Sequence, residues 1–168
     1  MATRYMYGDV VFEIFRPQED WRCPVCGSVQ VIGRGGMPRL FQTIPIGRKQ
    51  VWLWMEVPRV ECHACRAVRQ IHLGFAEPKM RHTKAFARYA LELSRRMTIQ
   101  DVADHLGVSW DTIKEIQKKY LERRFKKPRL RGLKHLAIDE ISIGHGQRYL
   151  TVVLALESGA VVFVGQGK

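Results

Sequence analysis

Hydrophobic and polar positions change rhythm along this chain. Between residues 29 and 62 the apolar positions come in short β-branched or aromatic runs, split by glycine and basic residues. Val29 to Ile32 is one run, and Arg34-Gly35-Gly36 reads as a turn. Leu40 to Ile46 is the next, and Ile46-Gly47-Arg48-Lys49 turns again. Val51 to Val57 leads through Arg59-Val60-Glu61 to Cys62. Short strands parted by glycine turns predict a small β-ribbon. From Arg81 to Met97 the period is helical, with Phe86, Tyr89, Ala90 and Leu93 on one face. Thr98 follows as an N-cap with Asp101 placed as in a capping box. Val102, Ala103 and Leu106 face inward on a short helix, and Gly107 supplies the positive φ that ends it. Val108 plugs the turn. Ser109 caps the next helix, which buries Ile113 and Ile116. Pro128 ends the helical region.

A small alanine where two helices cross, a glycine at the turn and apolar residues around both are the packing needs of a helix-turn-helix. The bland alternative is an ordinary helical hairpin. After Pro128 the rhythm becomes strand-like. Leu136-Ala137-Ile138-Asp139-Glu140 reads as a strand ending on acid. Gly144-His145-Gly146 turns, and Tyr149 to Leu156 is a second strand. Glu157-Ser158-Gly159 makes a hairpin turn into Ala160 to Val164. The three strands predict a meander, with Asp139 expected to be buried on the first.

Charge divides the chain at the same places. The 168 residues carry a net charge of +12. Residues 79–134 hold 16 basic and 6 acidic side chains, whereas residues 1–78 hold 10 and 7, and the tail from His135 holds 2 and 3. The three compositions imply three modules: residues 1–77, 78–128 and 129–168. The fold class expected is α+β: a small β-ribbon, a helical helix-turn-helix domain, then an incomplete meander. A basic excess that lies mostly in the helical module points to a polyanion, nucleic acid before membrane. No apolar run approaches the length of a membrane span.

All four cysteines lie in two Cys-x-x-Cys pairs, Cys23/Cys26 and Cys62/Cys65, separated by 35 residues. Two knuckles offer the tetrahedral thiolate set that Zn²⁺ prefers. The competing reading is two disulfides in a secreted protein. Met1 to Asp20 lacks the cationic start and apolar run of a signal peptide. A cytoplasmic setting keeps thiols reduced, which favours metal. Four thiolates close the coordination shell, so the expected zinc is structural rather than catalytic. His63 and His72 are alternative ligands or solvated side chains. Trp52 and Trp54, two apart on one strand face, either stack on bases or pack beside the zinc site. Gly33, Arg34, Gly35, Gly36, Arg48 and Lys49 either reach phosphate or form solvated turns.

In the helix-turn-helix reading the helix from Trp110 enters the major groove of double-stranded DNA. Its outward residues are Ser109, Trp110, Thr112, Lys114 and Gln117. Gln117 suits adenine and Lys114 guanine. Lys118, Lys119, Arg123, Arg124, Lys126, Lys127, Arg129 and Arg131 extend the basic surface and suit phosphates, giving affinity rather than specificity.

The order of motifs is more specific than any one of them. Cys23-Pro-Val-Cys26, Cys62-His-Ala-Cys65, the helix-turn-helix, Ile138-Asp139-Glu140, Tyr149-Leu-Thr-Val-Val153 and Leu156-Glu-Ser-Gly159 together resemble the N-terminal part of a bacterial insertion-sequence transposase of the ISL-three type. The resemblance covers essentially the whole chain. It implies an RNase-H-like catalytic domain beginning near residue 129, in which Asp, Asp and Glu hold two metal ions. By that likeness Asp139 is the first catalytic aspartate. The family's second Asp and its Glu are expected beyond Lys168, so the catalytic site is expected to be incomplete here. Mg²⁺ is expected only where a complete catalytic domain is supplied. Family members often carry Asp where Ala155 stands.

The leading expectation is therefore a transposase-derived DNA-binding protein that recognises transposon-end or related DNA in a bacterial cytoplasm, at the nucleoid. Alternatives are a fragment of an active transposase cutting DNA with Mg²⁺, a transcription regulator, or a zinc-dependent interaction adaptor. An unfinished sheet at residues 136–164 predicts a homo-oligomer or a partner protein.

Overall fold

The first two strands close on a two-residue turn that the sequence pattern did not reveal. In the computed structural model, which describes residues 2–126, 130–144, 146 and 148–166, β1 (Ala2–Met6) pairs antiparallel with β2 (Asp9–Glu13). Tyr7 and Gly8 between them both have positive φ, the backbone that matches strand twist in such hairpins. A short 3₁₀ turn, Gln18–Asp20, leads to the first cysteine knuckle. β3 (Val31–Ile46) and β4 (Lys49–Cys62) then form a long antiparallel hairpin, joined by Gly47 and Arg48. β2 runs parallel to the start of β4, and β5 (Val68–Gln70) pairs antiparallel near its end.

The expected turn at Arg34-Gly35-Gly36 is instead a bulge within one continuous strand. Register jumps from Gly33↔Val60 to Gly36↔Pro58, and Gly35 takes a φ of +77°. Glycine serves a bulge for the same reason that it serves a turn, because both need left-handed backbone. The two expected strands on either side of it are therefore one. One face of the sheet buries Phe41, Met55, Val57 and Val60 against Ile71, Leu73 and Ala76. Phe41 meets Phe75 edge-on, with ring centroids 5.3 Å apart.

Three helices follow. α1 (Lys84–Leu93) is shorter than the expected 81–97, because the Thr83 hydroxyl caps it by accepting the Phe86 N–H. α2 (Ile99–Leu106) begins on the Thr98–Asp101 capping box and ends at Gly107, whose φ is +63°. The Val108 N–H donates to the Ala103 carbonyl across that turn, closing the helix end. α3 (Trp110–Phe125) starts after Ser109, whose hydroxyl accepts the Thr112 N–H. Phe86, Ala90, Val102, Ala103, Leu106, Ile113 and Ile116 form one buried cluster. This is the helix-turn-helix packing expected from the sequence.

The chain divides into two compact units, Met1–Gln117 and Lys118–Lys168. The first holds both the sheet and the helix-turn-helix core. The second carries the last turns of α3 and an antiparallel meander of β6 (Leu136–Ser142), β7 (Tyr149–Ala155) and β8 (Ala160–Gln166). Among the described residues of this unit only Ala155 is buried. Pro128, expected to end the helical region, lies outside the described residues; α3 itself ends at Phe125.

Candidate metal centre and nucleic-acid interface

The two knuckles repeat one backbone device. In the first, the Gly27 N–H donates to the Cys23 carbonyl and the Cys23 N–H to the Ser28 carbonyl. In the second, Arg66 donates to Cys62 and Cys62 to Ala67 in the same way. Gly27 and Arg66 both have left-handed backbone, with φ of +76° and +59°. The hairpin of β3 and β4 brings the knuckles together, because Val31 pairs with Cys62 and the His63 N–H donates to the Gln30 carbonyl.

The four thiols converge. Cys23 Sγ lies 3.6 Å from Cys65 Sγ, and Cys26 Sγ lies 3.5 Å from Cys62 Sγ. All four sulfurs fall within 4.8 Å of one another. A tetrahedron with Zn–S bonds of about 2.3 Å has S···S edges of about 3.8 Å. The donor set therefore fits zinc in number, chemistry and spacing, and the four cysteines are free thiols rather than the disulfides of the competing reading. Cys23 and Cys62 are buried, whereas Cys26 and Cys65 are exposed. His63 and His72 are both exposed and stand outside the cluster.

Backbone N–H groups favour the thiolate form of the buried pair. Cys23 is pulled down to about 6, first by the Cys26 N–H, with help from Val25 and the Cys65 thiol. Cys62 is lowered by the equivalent N–H groups of Cys65 and Ala64. Cys26 is pushed up to about 12: a Ser28 N–H lowers it, but the neighbouring sulfurs of Cys62, Cys65 and Cys23, with burial, outweigh that bond. Accumulated negative charge holds the Cys26 proton in place until a cation replaces it.

Trp52 and Trp54 do share a sheet face, but the zinc cluster is not beside them. Cys62 stands at the opposite end of β4, roughly 30 Å from Trp52 at about 3.3 Å per residue. The tryptophans line a groove with Arg4, Tyr7, Asp9 and Glu13. Its acids are engaged: Glu13 pairs with Arg4 at 2.8 Å, and Asp9 accepts from Trp52 Nε1 at 3.4 Å. Of the turn residues proposed for phosphate, Arg34 pairs with Glu61 at 2.6 Å and Arg48 is exposed in its hairpin.

On α3, Trp110 is 41% exposed and the Lys114 ammonium lies 4.7 Å from the centre of its ring. Ser109 and Thr112 hydrogen-bond each other at 2.9 Å, and Gln117 is half-buried. Lys118 reaches Glu122 at 3.9 Å. Lys119, Arg123, Arg124, Lys126 and Arg131 are exposed. Lys127 and Arg129 lie outside the described residues.

Asp139 is exposed rather than buried, and its Oδ1 accepts the Glu140 N–H at 2.8 Å. The physical reason is that no second layer covers β6 among the described residues of its unit. Glu157 ion-pairs with His135 at 2.8 Å and is held below the usual carboxylate range by its own backbone N–H and by that histidine.

Sequence reasoning missed Gln42. Its Nε2 donates to the Leu106 carbonyl at 2.9 Å, and its backbone bonds Arg81 and Thr83. One buried glutamine thus ties β3 to the end of α2 and to the start of α1. A polar residue inside the apolar run Leu40 to Ile46 was the available signal.

Comparison with known proteins matches both halves of this geometry. The family model described as the zinc-finger of transposase IS204/IS1001/IS1096/IS1165 matches residues 19–65. The model for the helix-turn-helix domain of transposase family ISL3 matches residues 71–121. The chain is 28% identical over 146 residues to a transposase for insertion sequence element IS1001 from Bordetella parapertussis, covering 87% of this chain and 36% of that protein. It is also 28% identical over 148 residues to a transposase for insertion sequence element IS1557 from Mycobacterium tuberculosis, covering 87% of this chain and 33% of that one. The chain thus spans about a third of the length of the curated relatives it matches. No solved structure matches it. Among the described residues no helix is long and apolar enough to cross a membrane.

Proposed function

From the premise that this chain carries the zinc ribbon and the helix-turn-helix of the ISL3 transposases, we propose that it is a transposase-derived protein that binds duplex DNA at insertion-sequence ends. α3 is the recognition helix. Lys114 addresses guanine and Gln117 adenine, with Trp110 packing against the groove wall. Ser109, Thr112, Lys118, Lys119, Arg123, Arg124, Lys126, Lys127, Arg129 and Arg131 take phosphates. The zinc ribbon is structural support for this surface. The protein works in the bacterial cytoplasm, on the nucleoid. The observation that carries the reading is the exposed Trp110–Lys114 pair on a helix that buried Ile113 and Ile116 anchor to the core.

Selection of bound duplexes from a random pool at physiological salt tests it. A defined motif is expected, bound with an affinity that falls steeply as salt rises, since each neutralised phosphate releases condensed counterions. No motif and a flat salt response together refute the reading.

A fuller reading includes chemistry, and it rests on the relatives being transposases. In it Asp139 is the first of several carboxylates that hold two Mg²⁺ ions for strand cleavage. The chain alone binds without cutting, and further carboxylates come from the remainder of a longer protein. Mg²⁺-dependent nicking of element-end DNA by this chain alone, abolished in Asp139→Asn, would overturn that division of labour. Ile138, Ile141, Val161 and Phe163 are exposed on the meander, and residues 136–164 are the surface for a second copy or a partner protein.

A further inference from the structure

The helix-turn-helix and the ribbon sheet enclose a groove of about 780 Å³. β3 supplies one wall through Leu40 and Gln42, and the start of α3 supplies part of the other through the capping Ser109 and through Thr112. Lys79 and Arg81 complete its rim. Arg39 and His82 also line it, and among the described residues no carboxylate does. The neighbouring tryptophan groove, by contrast, contains Asp9 and Glu13.

The groove is held open by hydrogen bonds, most of them from backbone and hydroxyl groups and one from the Arg39 guanidinium. Arg39 donates to the Met80 carbonyl at 2.8 Å, Gln42 N–H to the Arg81 carbonyl at 2.9 Å, and Thr83 N–H to the Gln42 carbonyl at 2.9 Å. The Thr83 and Thr43 hydroxyls bond at 3.1 Å. Arg81 is thus fixed by its backbone, while its exposed guanidinium makes no ion pair among the described residues. Lys79 is also exposed, and it sits in the Glu77-Pro78-Lys79-Met80 turn with a φ of +65°. Proline followed by left-handed backbone is the type II pattern, whose third position ordinarily selects glycine. A lysine there is conformationally unfavourable, so its place in this turn is not explained by folding.

We propose that this groove seats one strand of the bound duplex, with Lys79 and Arg81 each holding a backbone phosphate beside the first turn of α3. The sheet and the helix-turn-helix then grip DNA together, and the phosphates taken by the groove set the register in which α3 meets the bases. The inference rests on α3 being the recognition helix.

The turn offers a clean test. Lys79→Gly removes the charge while restoring the residue that the backbone prefers, so melting temperature should hold or rise. Binding is read by fluorescence anisotropy on a labelled mixed-sequence duplex of about 40 bp, long enough for several phosphate contacts, over a range of salt. The double variant Lys79→Gly/Arg81→Ala should bind at least about fivefold more weakly, and its log K against log salt slope should flatten by roughly two, at about 0.9 per phosphate. Arg95→Ala, which breaks a surface pair with Glu92 at the far end of α1, is the control and should leave the slope nearly unchanged. An unaltered slope in the double variant, or an equal loss in the control, overturns the groove. If Lys114→Ala weakens binding while the groove variant does not, the recognition helix stands and the groove falls. If neither variant matters, both fall.

Discussion

Gly27 and Arg66 occupy equivalent places in the two knuckles, each donating its N–H to the first cysteine of its pair. Left-handed backbone is natural for glycine and costs other L-residues about 1–2 kcal/mol. Arg66→Gly should therefore raise the melting temperature of the zinc-loaded protein, and Gly27→Ala should lower its stability by about 1 kcal/mol. Scanning calorimetry checks both, and a fall in melting temperature for Arg66→Gly would show that Arg66 makes a compensating contact. The thiols themselves set a pH dependence. Cys23 is depressed from 9.0 to about 6, so its thiolate stabilises the fold fully above its unfolded value, and that contribution is lost as pH falls through about 6. Cys26, raised to about 12, keeps its proton at neutral pH. Zinc binding at neutral pH should therefore release at least one proton, and zinc affinity should drop as the solution is acidified toward 6. Titration calorimetry in buffers of different ionisation enthalpy measures the proton; zero release would contradict the charge-sharing described for the cluster.

At the scale of elements, the devices legible in the sequence were the local ones. The Thr98–Asp101 box, the left-handed Gly107 and the Ser109 cap each lie within a few residues of what they bond, so side-chain type reveals them. The cysteine spacing was equally legible, because a Cys-x-x-Cys knuckle is a local turn. Pairings between distant segments were hidden. β2 finds its place by running parallel to β4, which no local pattern announces. Asp139 was expected to be buried because its strand is apolar, but burial depends on a covering layer rather than on the strand. The groove draws Gln42, Lys79 and Ser109 from separate elements, and only the tertiary fold assembles them. Gln42 is the element-scale joint. Gln42→Leu would leave the Leu106 carbonyl without its donor in a buried place and should cost about 1–3 kcal/mol, measured by chemical denaturation. A neutral result would mean that water replaces the lost bond.

At the scale of the whole molecule, the charge of +12 and the exposed apolar meander make different demands. Charge disperses molecules, whereas the free edges and faces of β6 and β8 attract strands. Light scattering over a concentration series should show self-association that Phe163→Lys reduces; a monomer throughout would remove residues 136–164 from the interface. β4 meanwhile has a part beyond pairing. Its last residue is the buried Cys62, and Gln50 near its start lies against Gly107 in the helix-turn-helix. One strand therefore spans from the thiolates to the helix-turn-helix. Any free energy by which zinc favours the DNA-competent arrangement must be returned in kind, since coupling between two binding sites is reciprocal. Bound duplex should then raise the zinc affinity measured at equilibrium against a competing chelator, and removing zinc should weaken the duplex complex by the same factor. The zinc ribbon would be a thermodynamic partner of the DNA, and a cell short of zinc would hold this protein less firmly on its sites.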